Sequence, residues 1–187
     1  MRWSSSVLAP ALVLAACVTA LAQGPTYRLG RAPSEQEIKA WDIAISPDGK
    51  ELPPGKGTAK EGALIYIEKC ATCHGENLKE GRARVLVGGK DTLTTATPVR
   101  TPWSWPYATT IWDFINRAMP LNNGGTLKAD EVYALTAFIL YRNEIIKETD
   151  VIDAQSLPKI EMPFRSHFDP PHPGWKPGMK RPLGLYP

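Results

Sequence analysis

Cys70-Ala71-Thr72-Cys73-His74 constrains this chain more than any other stretch. Two thiols three positions apart, with an imidazole directly after them, match the c-type haem attachment signal. The thiols of Cys70 and Cys73 can add across haem vinyl groups as thioethers. The His74 ring, carried in by the same turn, can then bind the iron from one side. A disulfide or a redox dithiol is the plainer alternative for a lone C-x-x-C in an exported chain. His74 stands at the haem position, and no strand-rich βαβ pattern surrounds the pair as a thioredoxin-like site would require. Both points favour one covalently bound haem c.

The first 22 residues read as a secretory signal peptide. Arg2 supplies a basic start, Val7 to Leu14 an apolar core, and Ala20-Leu21-Ala22 a small-x-small cleavage site before Gln23. That implies a periplasmic protein, and the apolar run is too short to span a membrane. Leu14-Ala15-Ala16-Cys17 offers a competing lipoprotein box. Cleavage after Ala22 is preferred because Val18 to Ala22 stays apolar, whereas a lipoprotein usually turns polar after its cysteine. The 187 residues carry a net charge of +3, which falls to +2 once Arg2 is removed. Without a strong basic field, nucleic acid is not an expected partner.

Residues 23–57 form a punctuated, polar N-terminal extension. Ser34 with Glu37 is a capping-box pattern that predicts a short helix over 35–40. Trp41 to Ile45 alternates apolar and polar and reads as an extended segment ending at Pro47-Asp48-Gly49, with Trp41 as anchor. The central region, 58–147, opens with a helix from near Thr58 to Lys69. Gly62, Tyr66 and Cys70 share one of its faces. Gly62 either admits a second helix closely or merely weakens this one.

Gly75 to Thr97 is glycine-bearing loop, with Leu86 and Leu93 as candidate pocket residues. Pro98 to Pro106 then packs three prolines and two tryptophans into nine residues. Indole N–H groups and an arginine are donors suited to a haem propionate, which makes Trp105, Trp103 and Arg100 candidates. The alternative is that these aromatic residues glue a loop to the core.

A second helix is expected from Tyr107 to Ala118, with Ile111, Phe114 or Ile115, and Ala118 on its apolar side. It stops at Met119-Pro120, because proline disfavours the α conformation in the residue before it. A thioether lifted off a helix end in this way can bind iron opposite a histidine, although methionines more commonly fill cores. Beyond the initiator, the other methionines are Met162 and Met179, both in a proline-rich stretch. A third helix runs from Val132 to about Ile146 after Thr126, Asp130 and Glu131. Residues 148–187 form a C-terminal tail. Its last part, 158–187, holds eight of the eighteen prolines, and a stretch of that kind reads as extended or laid over another surface.

Taken together, residues 58–147 resemble a class I cytochrome c. Gly62-x3-Tyr66-x3-Cys70 is similar to that family's Gly/aromatic face, and Leu135-x2-Phe138 to its Leu/aromatic pair. The resemblance implies a mainly α fold of three to four helices around one covalently bound haem, with His74 and Met119 as axial ligands. A wider resemblance covers nearly all the chain after residue 22. It is carried by Gly30-Arg-Ala-Pro-Ser, Ala40-Trp-Asp-Ile, Asp48-Gly, Leu52-Pro-Pro-Gly55, Trp105 to Pro120 and Glu131 to Phe138. These resemble the cytochrome subunit of the sulfane or sulfite dehydrogenase of sulfur-oxidising (Sox) systems. The resemblance implies a molybdopterin-containing dehydrogenase subunit as electron donor and another c-type cytochrome or an oxidase as acceptor. Better-known members carry a second haem domain, whereas this chain has a single C-x-x-C-H.

The expected function is therefore electron transfer without catalytic chemistry of its own, since histidine plus methionine leaves the iron no open site. Three other readings stand beside it. One is a haem enzyme with an open or readily vacated sixth site. Another is bis-histidine ligation through His167 or His172. The third is a free-standing electron shuttle, for which long extensions on both sides of the haem region would be unnecessary.

Overall fold

The computed structural model describes residues 29–89 and 101–168. The expected signal peptide, Cys17, Leu93, Arg100, His172 and Met179 lie outside the described residues. The chain divides into two units, 1–42 and 43–187.

In the first unit, Ser34 caps helix α1 (Glu35–Trp41). Its hydroxyl accepts from the Glu37 amide while the Glu37 carboxylate accepts from the Ser34 amide. Arg31 pairs with the same carboxylate and, with the Ser34 bonds, holds Glu37 at a pKa of about 2. The expected helix is present, but the extended segment does not begin at Trp41, which instead closes the helix. Trp41 is 87% exposed.

Among its described residues the second unit is mainly helical, with one small antiparallel pair. Strand β1 (Lys56–Thr58) is followed by α2 (Ala59–Lys69), the single turn α3 (Ala71–His74), α4 (Ala108–Ala118) and α5 (Ala129–Arg142). Strand β2 (Val151–Asp153) then pairs with β1 in the register Gly57 opposite Ile152. Short 3-10 turns occupy Pro102–Ser104, Leu157–Lys159 and Arg165–His167. Among the described residues no helix is long and apolar enough to cross a membrane.

Local chemistry starts the helices where expected. Thr58 and Glu61 form a reciprocal capping box at α2, and the Glu131 carboxylate accepts from the Lys128 amide at α5. α5 is the central column, with Val132, Tyr133, Leu135, Ala137 and Leu140 almost wholly buried. α2 crosses it at a point where Gly62 is pressed on the Ala134 carbonyl, and Tyr66 meets Phe138 with ring centroids 5.2 Å apart. The close-approach reading of Gly62 therefore applies. Gly57 of β1 is pressed on the Ala134 amide in the same way, so the strand and the helix share one docking point.

Two segments outside 58–147 join the helices through long-range contacts. Residues 43–57 have no core of their own, yet they are tied to the helices by long-range bonds. The Ile45 amide donates to Asp113, Thr109 donates to the Pro47 carbonyl, and the Tyr133 hydroxyl donates to the Pro53 carbonyl. Beyond Lys147, where no core contribution was expected, Ile152, Leu157 and Met162 are buried. Backbone pairing with β1 presents Ile152 to α5, and a proline-initiated turn brings in Leu157. Apolar periodicity is a poor guide in segments this short.

Candidate haem site

α2 delivers Cys70 to the site and then stops. The Cys70 amide donates to the Tyr66 carbonyl, and the Cys70 carbonyl accepts from both Cys73 and His74, winding the single turn α3. Gly75, at φ +79°, ends that turn in a conformation that L side chains rarely adopt. Its carbonyl accepts from the Tyr66 hydroxyl at 2.7 Å, which ties the end of the motif back to the α2–α5 contact.

Cys70 and Cys73 are both free, half-buried thiols rather than a disulfide. Burial, followed by the neighbouring Cys73, pushes the Cys70 thiol up to about 11. A redox dithiol uses a thiol whose pKa is lowered, and burial makes Cys70 unsuited to that part. Among the described residues no group of three or more His, Cys, Asp and Glu side chains could hold another metal ion.

The His74 ring is half-buried, with Nδ1 2.8 Å from the Arg84 carbonyl oxygen. A carbonyl can only accept, so Nδ1 carries a proton, and in the neutral ring Nε2 then keeps its lone pair. That is the orientation in which an imidazole serves as a metal ligand. The carbonyl is supplied by residues 81–84, which fold back over the motif. Ala83 donates to the Cys73 carbonyl at 2.8 Å, and a methyl built on Gly81 would lie 2.1 Å from that same oxygen.

Met119 follows α4 in extended geometry, at φ −121° and ψ 147°. Its amide still donates to Ile115, and its side chain packs half-buried against the core that also receives Cys70, Ala71, Leu86 and Trp105. The loop after it returns to α4: Gly125 donates to the Asn116 carbonyl, and a methyl on Gly124 would lie 2.3 Å from the Arg117 carbonyl oxygen. Met162, set aside in the sequence as a tail residue, is 3% exposed and belongs to the core. Trp105 sets its ring edge-on to Phe114 at 5.8 Å, whereas Trp103 leans on Phe164 at 6.1 Å. His167 stacks flat on Phe164 at 4.3 Å and is exposed.

Four residues to which the sequence assigned no role have defined partners. Asn143, at the end of α5, donates to the Leu86 and Ile139 carbonyls and accepts from the Gly88 amide. Thr101 in turn donates to the Gly88 carbonyl. Asp113 is buried on α4, where it accepts from Ile45 and from Arg117 one turn later. Trp112 packs on Tyr133, and its Nε1 is buried without a hydrogen-bond partner among the described residues. Asp113 and Arg117 at i and i+4 were visible as a helical pair; the partners of Asn143 and Trp112 carry no local signal.

A helical fold whose first long helix runs into C-x-x-C-H, with an available imidazole and a half-buried thioether on the same core, has the donors that haem c requires. The chain belongs to the class I cytochrome c family and is an electron-transfer protein whose family cofactor is haem c. The family described as Cytochrome C oxidase, cbb3-type, subunit III matches residues 57–139. Among solved structures the chain is similar to a chain of the sulfane dehydrogenase SoxCD from Paracoccus pantotrophus. The two are 37% identical with a TM-score of 0.69, over 79% of this chain and 73% of that one. No curated protein matches.

Proposed function

We propose that the chain binds one haem c through thioethers at Cys70 and Cys73, with His74 and Met119 as axial ligands. In this role it accepts electrons from a molybdopterin-containing sulfite or sulfane dehydrogenase subunit and passes them to another c-type cytochrome or an oxidase in the periplasm. The observation that carries the reading is the His74 ring, held at Nδ1 by Arg84 with Nε2 left to a metal. The likeness to a SoxCD chain supports the choice of partner.

Haem c supplies one-electron iron chemistry. The chain's own residues decide how that chemistry is used. His74 and Met119 would hold the iron between them, which would leave it no substrate site, and the thioether would favour the reduced state. Leu86, Trp105 and Met119 pack half-buried against the core and would supply apolar surroundings for the group. Trp105 and Arg100 are the proposed propionate donors.

The ligand set is tested on the oxidised protein, which is expected to show a weak near-infrared sulfur-to-iron band that Met119→Ala abolishes. A wild-type protein without that band, or one whose ferrous form binds carbon monoxide rapidly at neutral pH, contradicts Met119 ligation. The partnership is tested by purifying the native protein. Co-elution with a molybdenum-containing subunit is expected, and elution as a lone chain counts against a stable complex.

A further inference from the structure

Arg82 stands out among the charged residues around the motif because the ligand set does not use it and its place is nonetheless strongly determined. Gly81 before it has no room for a side chain against the Cys73 carbonyl, and Ala83 after it donates to that carbonyl. Arg84 holds the His74 ring. With both neighbours clamped, the guanidinium of Arg82 lies on Cys73, its Nη2 3.3 Å from Sγ. Among the described residues no carboxylate forms an ion pair with Arg82. Among those residues no neighbouring carboxylate neutralises its charge.

We propose that Arg82 is an electrostatic tuning residue that raises the reduction potential of the haem held at Cys73. The proposal rests on covalent attachment of haem at that thiol. Oxidation passes one electron to the acceptor and adds a unit of positive charge to the group bonded to Cys73. A fixed cation against the bonding sulfur opposes that gain and favours the reduced state. Arg82 is itself exposed, so solvent and salt weaken the effect, and it is strongest at low ionic strength. An arginine suits this task because its guanidinium stays charged at every working pH.

The test compares midpoint potentials of the wild type, Arg82→Gln, Arg82→Lys and Lys60→Gln, measured spectroelectrochemically at low and high salt. Lys60→Gln removes the same charge from the exposed start of α2, well away from Cys73. Arg82→Gln is expected to lower the potential, moving the population at a fixed ambient potential severalfold toward the oxidised form. Lys60→Gln is expected to do much less, Arg82→Lys to restore part of the shift, and high salt to shrink it. Haem staining after denaturation reports attachment separately. A chain that retains no haem overturns covalent attachment and this proposal with it. A haem-bearing Arg82→Gln protein with the wild-type potential, or with a shift equal to that of Lys60→Gln, overturns the role of Arg82 alone.

Discussion

A methyl group built on Gly62 would lie 1.9 Å from the carbonyl oxygen of Ala134. The crossing of α2 and α5 thus leaves no space for any side chain at that position. Because α2 ends at Cys70, the crossing also sets where the haem motif begins.

Gly62→Ala is expected to destabilise the fold despite the better helix propensity of alanine, which is worth up to about 1 kcal/mol. The obstruction is backbone, which cannot rotate aside as a side chain would, so the net loss is expected to be about 1–3 kcal/mol. Chemical denaturation measures this directly, and a Gly62→Ala variant with a higher unfolding midpoint would contradict the packing.

Asp113 makes the fold acid-sensitive. Burial raises its pKa, but the Arg117 hydrogen bond, the Ile45 amide and the Arg117 charge outweigh that effect and leave the carboxyl below its usual value. The folded chain keeps Asp113 ionised at pH values where the unfolded chain has already taken up the proton. Its contribution is complete above about pH 4 and is lost as pH falls through the lowered folded value. Asp113→Asn is expected to cost about 1–2 kcal/mol near neutrality, with the gap to wild type closing in acid. Urea titrations across that range give the answer, and a gap that is constant with pH would rule out the ionised pair.

Tyr66 and Tyr133 limit stability from the alkaline side. Burial, ahead of nearby negative charge, pushes both hydroxyls up to about 12. Unfolded tyrosine ionises near pH ~10, so the stabilisation holds below that pH and is lost as pH rises through the folded values. Ultraviolet titration should show two late-ionising tyrosines in the native protein. Tyr66→Phe should remove one of them and, by leaving the Gly75 carbonyl without its donor, cost about 1 kcal/mol. Six tyrosines titrating together near the ordinary value would disprove the burial.

Asn143→Ala deletes three hydrogen bonds and leaves the Gly88 amide and the Leu86 carbonyl without their side-chain partner. A loss of roughly 2–3 kcal/mol is expected, together with faster amide exchange at Gly88. Unchanged exchange at that amide would mean that Asn143 does not hold the loop.

The chain's local chemistry was legible from its residues. The capping boxes at Ser34 and Thr58 started α1 and α2 where expected, and the sequence reading of Met119 as extended before Pro120 holds. The Gly62, Tyr66 and Cys70 face was likewise readable, because each of these signals depends on residues within a turn or two. The β1–β2 pair, the Ile45 bond to Asp113 and the Asn143 bond to Leu86 were not. Those last two span 68 and 57 positions, and no propensity or period encodes such partners.

By itself the sequence determined the haem motif, the helices that carry it and the methionine at the end of α4, all products of short-range sterics and hydrogen bonding. Only the tertiary structure decided that residues 43–57 and 151–162 close over the helices, that His74 turns Nδ1 to Arg84, and that Arg82 lies on Cys73. The reason is physical. Each of these contacts forms only after distant segments have docked, so its partners are chosen by packing around α5 and not by neighbours in the chain.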